Sequence, residues 1–409
     1  MKIIDANLKI IKDSRVSDTL EAALYAEQRG LNADNRGIIS ATASCPSGKS
    51  RGAHEAFVME PNLAIEKFNK IKSAILAGEF ENQKDFDDFL LKLDGTPNKQ
   101  NLGGNLMLVL SLAFARLLSQ SMNFDLYHYL CSLSRLPMSK YQTPRPFFNV
   151  INGGAHATNS QSKLDFQEFQ IIPETNDFGM ALGMGQEFYT KLKDFLENKF
   201  GKGSVMLGDE AGFSCPFENN EQALEIMADL ILKNNYPLKI GLDVAATQFY
   251  KDGNYLVGGK IYSAEELKIF YLKLIDSYGI FSIEDPFFEE GFEDFADLLE
   301  DRPETLIITD DLTTTNLQRL QNAIDKKSGN AILIKPNQIG TLTETLDVIK
   351  LAYKNNWQTV ISHRSGETMD DFIADLAVGA GAFGIKSGAP GAPERMAKYN
   401  RILEIINGN

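Results

Sequence analysis

Cysteine is scarce in this chain: Cys45, Cys131 and Cys215 are all there are among 409 residues. An odd number without metal-ligand spacing leaves no disulfide framework and fits a reducing compartment. Positive charge is also short. Lys and Arg number 41 against 55 Asp and Glu, for a net charge of −14 and a pI near 4.9. That balance argues against a nucleic-acid partner and against anionic membrane surfaces. Long apolar runs are missing too; the longest, Leu106 to Leu118, is too short for a bilayer and contains Ser111 and Arg116. No glycine-rich phosphate fingerprint follows an early strand, which counts against an open dinucleotide-binding sheet. There is no low-complexity run. The opening MKIIDANLKI alternates like a strand, not like a signal peptide. These absences predict a cytoplasmic protein with no membrane insertion and no nucleic-acid partner.

What the chain does have is a recurring apolar strand that ends in charge. AILIKPNQIG (331–340) places Lys335 after four apolar residues, and the following proline stops the ladder there. Before it, KIGLDVA carries Asp243, FSIEDP ends in Glu284 and Asp285, and LIITDD ends in Asp310 and Asp311. After it, TVISHR ends in His363 and Arg364, and FGIKSG carries Lys386. The intervals from Asp243 through Glu284, Asp310, Lys335 and His363 to Lys386 are 41, 26, 25, 28 and 23 residues. Roughly 25 to 30 residues make one βα unit. Thr341–Asn355 and Asp370–Gly379 have apolar residues at helical spacing. The pattern predicts an α/β fold, a (β/α) barrel with its site at the strand carboxyl ends.

Upstream, strands are expected over Lys2–Ile11, Thr19–Ala26 and Gly37–Thr42, and helices from Leu63 to about Ser134. Residues 42–55, TASCPSGKSRGAHE, read as a surface loop or a mobile lid. A boundary before TPRPFFNVINGG gives an α+β N-terminal domain, 1–137, and a barrel domain, 138–409. LDFQEFQIIP is a strand carrying Glu168, and MLGDEAGFSCP holds Asp209 and Glu210 in a loop.

Three carboxylates in one barrel mouth, Asp243, Glu284 and Asp310, repel unless a cation lies among them. All-oxygen ligands with positions left for water and substrate suit Mg²⁺. Simple salt bridging to Lys335 and Lys386 is the alternative. A lysine facing metal ions and a second ammonium is expected to have a lowered pKa and to serve as a general base. Arg364 and Ser365 can grip a phosphate.

The chain resembles the enolases over almost its whole length. SHRSGET (362–368), LIKPNQIGTLTET (333–345), LDVAATQFY (242–250), SIEDP (282–286), FNVINGGAHA (148–157), LGDEAGF (207–213) and the closing IKSGAPGAPERMAKYNRILEI carry the resemblance. It implies an enolase-type (β/α)8 barrel that begins with an antiparallel irregularity. The implied activity is a lyase reaction, the reversible dehydration of 2-phosphoglycerate to phosphoenolpyruvate. Asp243, Glu284 and Asp310 would hold a first Mg²⁺. A second would bind with substrate when a lid closes and Ser50 coordinates it. Lys335 would be the base, Lys386 a carboxylate stabiliser, and Glu210 with Glu168 the acid. Arg364 and Ser365 would bind phosphate, with His363 and His156 close by. The resemblance also implies a homodimer or an octamer. Two readings stay open beside it: a related phosphorylated or 2-hydroxy acid as substrate, and a catalytically silent binding subunit.

The chain departs from the family pattern in four places. Its lid is SGKSRG instead of SGASTG, and GDEGG has become GDEAG, with Ala211 after the expected acid. His156 and Glu168 lie 12 residues apart, which implies a longer second loop, and the usual DSRGNPT is DSRVSDT at 13–19.

Overall fold

The computed structural model describes residues 1–28, 37–49, 52–134 and 143–408. Ser50, the expected lid ligand, and the expected boundary at 137/138 lie outside the described residues.

Strands β1 (Ile3–Lys12), β2 (Asp18–Gln28) and β3 (Gly37–Ser44) form an antiparallel sheet in chain order. Its inner face is built of small residues, with Ala6, Ala22, Ala26, Ala41 and Ala43 buried beside Leu20 and Leu24. A shallow face of this kind lets a helix press close. Four helices follow: α1 (Pro61–Ala77), α2 (Gln83–Asp94), α3 (Gly104–Ser121) and α4 (Leu126–Ser134). Pro61 opens α1 where its missing N–H costs nothing, and Gly95 at φ 69° ends α2. Helix α3 is buried on nearly every side because it runs between the sheet and the barrel. Its apolar sequence is that of a core helix. Among the described residues no single helix is long and apolar enough to cross a membrane, and α3 and α4 meet at a 105° bend.

The second half opens with β4 (Arg145–Asn152), β5 (Glu168–Pro173) and α5 (Phe178–Phe200). A small hairpin, β6 (Met206–Leu207) and β7 (Phe213–Ser214), precedes α6 (Asn220–Asn234) and β8 (Leu238–Asp243). A three-stranded flap then intervenes, β9 (Tyr250–Lys251), β10 (Asn254–Val257) and β11 (Lys260–Tyr262), before α7 (Ala264–Tyr278). That insertion accounts for the one long interval in the sequence pattern. Regular alternation follows: β12 (Ile280–Glu284), α8 (Phe292–Asp301), β13 (Leu306–Thr309), α9 (Leu317–Asp325) and β14 (Ala331–Ile334). The chain ends with α10 (Pro336–Ile339), α11 (Leu342–Lys354), β15 (Gln358–Ser362), α12 (Phe372–Gly379), β16 (Gly384–Lys386) and α13 (Pro393–Asn407).

Eight strands close the barrel in the order β4-β5-β8-β12-β13-β14-β15-β16, with β16 pairing back to β4. Strand β5 runs antiparallel to both neighbours, the irregularity the resemblance implied, and the remaining pairings are parallel. The pleat sorts the side chains. Phe147, Ile172, Leu306, Ile308, Ala331, Leu333 and Val360 fill the interior, while Ile332, Ile334 and Ile361 join the outer core. Two positions on from Leu333, Ile308 and Val360 come Lys335, Asp310 and Ser362, so the same inward parity carries charge to the mouth.

The N-terminal domain leans on that mouth. Gly104 of α3 and Gly340 after α10 approach so closely that a β-carbon on Gly340 would lie 3.1 Å from the Gly104 Cα. Leu342 N–H donates to Ser111 Oγ at 3.0 Å. Asp87 of α2 accepts from Thr343 N–H at 2.9 Å and from the Thr343 hydroxyl at 2.6 Å. Ion pairs add to this contact, Lys99–Glu344 at 2.7 Å and Arg116–Asp370 at 2.7 Å.

Burial raises the Asp87 carboxyl to about 6 from its ordinary 3.8, against the pull of its hydrogen bonds. The folded state therefore holds this proton more tightly than the unfolded chain does. Stability from this group is fullest below pH 4 and falls as pH rises through about 6, by about 3 kcal/mol in all at 1.36 kcal/mol per unit. Replacing Asp87 by Asn removes that slope. Melting temperatures of wild type and Asp87→Asn should diverge in the variant's favour between pH 4 and 6 and run parallel above it. A difference that does not change with pH would refute the assignment.

Candidate active site

The carboxyl ends of the strands bring the expected charges into one pocket. Asp243 ends β8, and the register sets it beside Glu284 of β12 on one side and Glu168 of β5 on the other. Lys386, ending β16, reaches into this group: its Nζ lies 2.7 Å from Glu284 Oε2, 2.9 Å from Asp243 Oδ2 and 3.2 Å from Glu168 Oε2. Burial alone would strip the Lys386 proton, but Asp243 and the two glutamates hold it well above the ordinary lysine value. Lys335 bonds to Asp310 Oδ2, and Asp310 Oδ1 accepts from Gln338 Nε2 at 2.9 Å. With no cation bound, burial pushes the Lys335 ammonium down, yet the Asp310 carboxylate outweighs it and leaves Lys335 above its usual value.

Glu284 carries a heavy electrostatic cost. Burial and then the Asp243 charge hold it well above the carboxylate range, and its Oε1 is buried without a hydrogen-bond partner. Seven carboxyls line the pocket (Glu55, Glu168, Glu210, Asp243, Asp285, Asp310 and Asp311) against Lys335, Arg364 and Lys386. Such an excess of buried negative charge calls for added cations. Among the described residues, two groups each have their ligand atoms within 4.8 Å of one another, His156–Glu168–Glu210 and Asp285–Asp310–Asp311, and the first could hold one divalent ion. Asp243, Glu284 and Asp310 are drawn instead onto the two ammonium groups.

On the opposite wall, the β6–β7 turn presents Glu210. Asn149 Nδ2 donates to its Oε2 at 3.0 Å, and His156 Nδ1 lies 3.6 Å from its Oε1. Arg395 donates to His363 Nδ1 at 2.6 Å, and since a guanidinium only donates, the His363 proton belongs on Nε2. That nitrogen is 3.3 Å from Glu210 Oε2. Burial takes His363 down to about 4, so the ring is neutral at pH 7. Burial and the nearby Glu210 charge hold Glu168 well above the usual range. Burial opposes ionisation of Glu210 as well, yet the imidazoles and Lys386 take it below. A neutral His363 can supply only its N–H dipole to that effect. The two glutamates are best described as one unit sharing a proton.

Arg364 is clamped by Glu55, at 2.8 Å and 3.1 Å, and donates to Asn337 Oδ1 at 3.1 Å. Ser365 Oγ accepts the Lys49 N–H at 2.9 Å. So His156, Glu168, Glu210, Asp243, Asp310, Lys335, His363, Arg364, Ser365 and Lys386 share one pocket, with Glu284 beneath Lys386.

Both halves of the chain match known families. Residues 3–130 match the enolase N-terminal domain, and residues 140–408 the enolase C-terminal TIM barrel domain. The chain belongs to the enolase family. It is 40% identical to the enolase of Methanocaldococcus jannaschii over 418 aligned positions, covering 99% of this chain and 95% of that one. It is 40% identical to the enolase of Methanosarcina barkeri, covering 99% and 94%, and 39% identical to that of Sulfurisphaera tokodaii, covering 97% and 94%.

Sequence reasoning missed several residues that the enolase-type pocket uses. Glu55 was hidden in a loop without periodicity. Arg395 had a signal: with Lys398, Tyr399, Ile402 and Ile405 it falls on the buried face of α13, and a cation at a core position is unusual. Asp285 is a turn-former, its carboxylate accepting the N–H groups of Asp310 at 2.9 Å and Asp311 at 2.7 Å.

The Ala211 departure has a geometric cost. Its φ is 63°, the left-handed region that a β-carbon disfavours by about 1–2 kcal/mol. Restoring glycine should raise stability by about 1 kcal/mol. The check is a denaturation midpoint for Ala211→Gly, and an unchanged or lower midpoint would show that the methyl's packing outweighs the strain.

Proposed function

We propose that this chain catalyses the reversible, Mg²⁺-dependent dehydration of 2-phosphoglycerate to phosphoenolpyruvate, the enolase reaction of glycolysis and gluconeogenesis. The observation that carries this reading is the pairing of two buried ammonium groups with strand-end carboxylates in a member of this family. We take the domain division as 1–137 and 138–409, the location as cytoplasmic, and the assembly as a homodimer or an octamer.

The residues fit the metal. Asp243, Glu284 and Asp310 offer only hard oxygen donors, and the partnerless Glu284 Oε1 asks for a cation. The His156–Glu168–Glu210 group is the more compact, but its imidazole suits Mg²⁺ less well, and its shared proton suits acid–base work. We therefore assign the first ion to Asp243, Glu284 and Asp310, and the second, arriving with substrate, to Ser50. When bound, Mg²⁺ neutralises the substrate carboxylate and makes the C2 proton more acidic.

Arg364, pre-oriented by Glu55, and Ser365 hold the phosphate. Lys335, whose ammonium faces Asp310, would take the proton from C2 as the neutral amine. Lys386 stabilises the resulting carboxylate dianion by charge. The C3–O bond breaks as the Glu210–Glu168 unit delivers its proton to the departing hydroxyl, so water leaves and the C2–C3 double bond remains. His363, kept neutral by burial, and His156 line the path of that proton.

Absorbance of the enol product should rise when the purified protein meets 2-phosphoglycerate with Mg²⁺, and chelator should abolish it. Lys335→Ala is expected to lower kcat by at least about 10²–10⁴-fold, the usual worth of a general base. A folded wild-type protein that binds Mg²⁺ without turnover would overturn the reading.

A further inference from the structure

Lys49 stands where the enolase lid pattern has alanine, and the structure gives it a partner. Its Nζ lies 2.9 Å from Asp209 Oδ2, a residue 160 positions away in the turn that presents Glu210. We propose that Lys49 is a positioning residue that ties residues 47–49 to the far wall of the pocket mouth through Asp209. Substrate affinity at this mouth thereby acquires a dependence on ionic strength. The proposal rests on the enolase reading above.

Four further contacts define the latch. Ser47 and Gly366 exchange two backbone hydrogen bonds, at 2.7 Å and 2.8 Å, which tie the base of the segment to the loop after β15. Gly48 then passes over the expected phosphate-binding arginine so closely that a β-carbon there would lie 1.9 Å from Arg364 Nη2. The backbone N–H of Lys49 donates to Ser365 Oγ. On the far side, the Asp209 carbonyl accepts from Arg395 Nη2 at 2.8 Å, so Asp209 is a fixed post. Lys49 thus spans from one phosphate-side anchor to the wall carrying the acid. The pair sits at the rim, with side chains 43% and 15% exposed, where salt screens it.

An exposed pair contributes about 0.5–1 kcal/mol, which is about a two- to five-fold change in an equilibrium. Lys49→Met should therefore lower kcat/KM for 2-phosphoglycerate by about two- to five-fold in 50 mM KCl, through KM more than kcat. In 500 mM KCl the ratio of wild type to variant should approach one. Asp209→Asn should show the same loss, and the double variant no further loss. The exchanged pair, Lys49→Asp with Asp209→Lys, should recover part of it. Trypsin gives a readout that needs no turnover: cleavage after Lys49 should be faster in Asp209→Asn than in wild type. Additive losses, a salt-independent ratio, or equal cleavage rates would overturn the latch. A wild type without turnover would overturn the enolase reading, while the cleavage comparison still decides the latch.

Discussion

Everything at the mouth of this barrel answers to one constraint, the crowding of carboxylates on adjacent strand ends. Register alone puts Glu168, Asp243 and Glu284 side by side, and burial denies them water. Lys386 resolves most of that repulsion and Lys335 the part around Asp310. Removing either ammonium would leave buried anions uncompensated, a larger penalty than the loss of the pair itself. The same crowding makes the site a cation trap, so stability and metal affinity draw on one set of groups. It also explains why Gly241 is glycine. A β-carbon there would lie 2.6 Å from Ser282 Oγ and 3.0 Å from Gln170 Oε1, polar groups in the layer below the charges.

Backbone strain gathers in the same place. Ala245, Asp285, Thr314 and Thr315 all have positive φ, between 43° and 50°, just past the strands bearing Asp243, Glu284 and Asp310. For a β-branched threonine this is a costly conformation. Thr315 shows what it secures: its hydroxyl accepts the Lys335 N–H at 2.9 Å and donates to Gln338 Oε1 at 2.8 Å. Gln338 in turn holds Asp310, so a strained turn fixes both partners of the Lys335 ion pair. The N-terminal domain braces that turn from outside, since the Ala56 N–H donates to the Gln338 carbonyl at 2.7 Å.

Much of this was legible in the sequence because the barrel repeats one simple rule, apolar strand then charge, at a steady interval. Lys335, Asp310, Glu284 and Lys386 announced themselves as polar residues closing apolar runs. The long interval after Asp243 has no account in that rule, and the β9–β11 flap supplies one. Glu55 was beyond sequence patterning because its role comes from a contact across chain distance: it meets Arg364 more than 300 positions away. The protonation of Lys335 is beyond such patterning too, because it depends on the balance between burial and the Asp310 charge, and spacing along the chain gives no measure of that balance.

The reversed strand β5 has a consequence for how such a barrel can be rebuilt. Every other site residue on a strand arrives from the strand's finish, but Glu168 is the first residue of its strand and reaches the same rim from the start. A barrel completed by repeating two of the six parallel strands between 238 and 386 would close with eight parallel strands and still lack this position. The carboxyl that lies with Glu210 and His156 would be gone. The asymmetry in chain direction is thus part of how the pocket is built, and half-barrel recombination within this architecture has to carry the 145–173 hairpin intact.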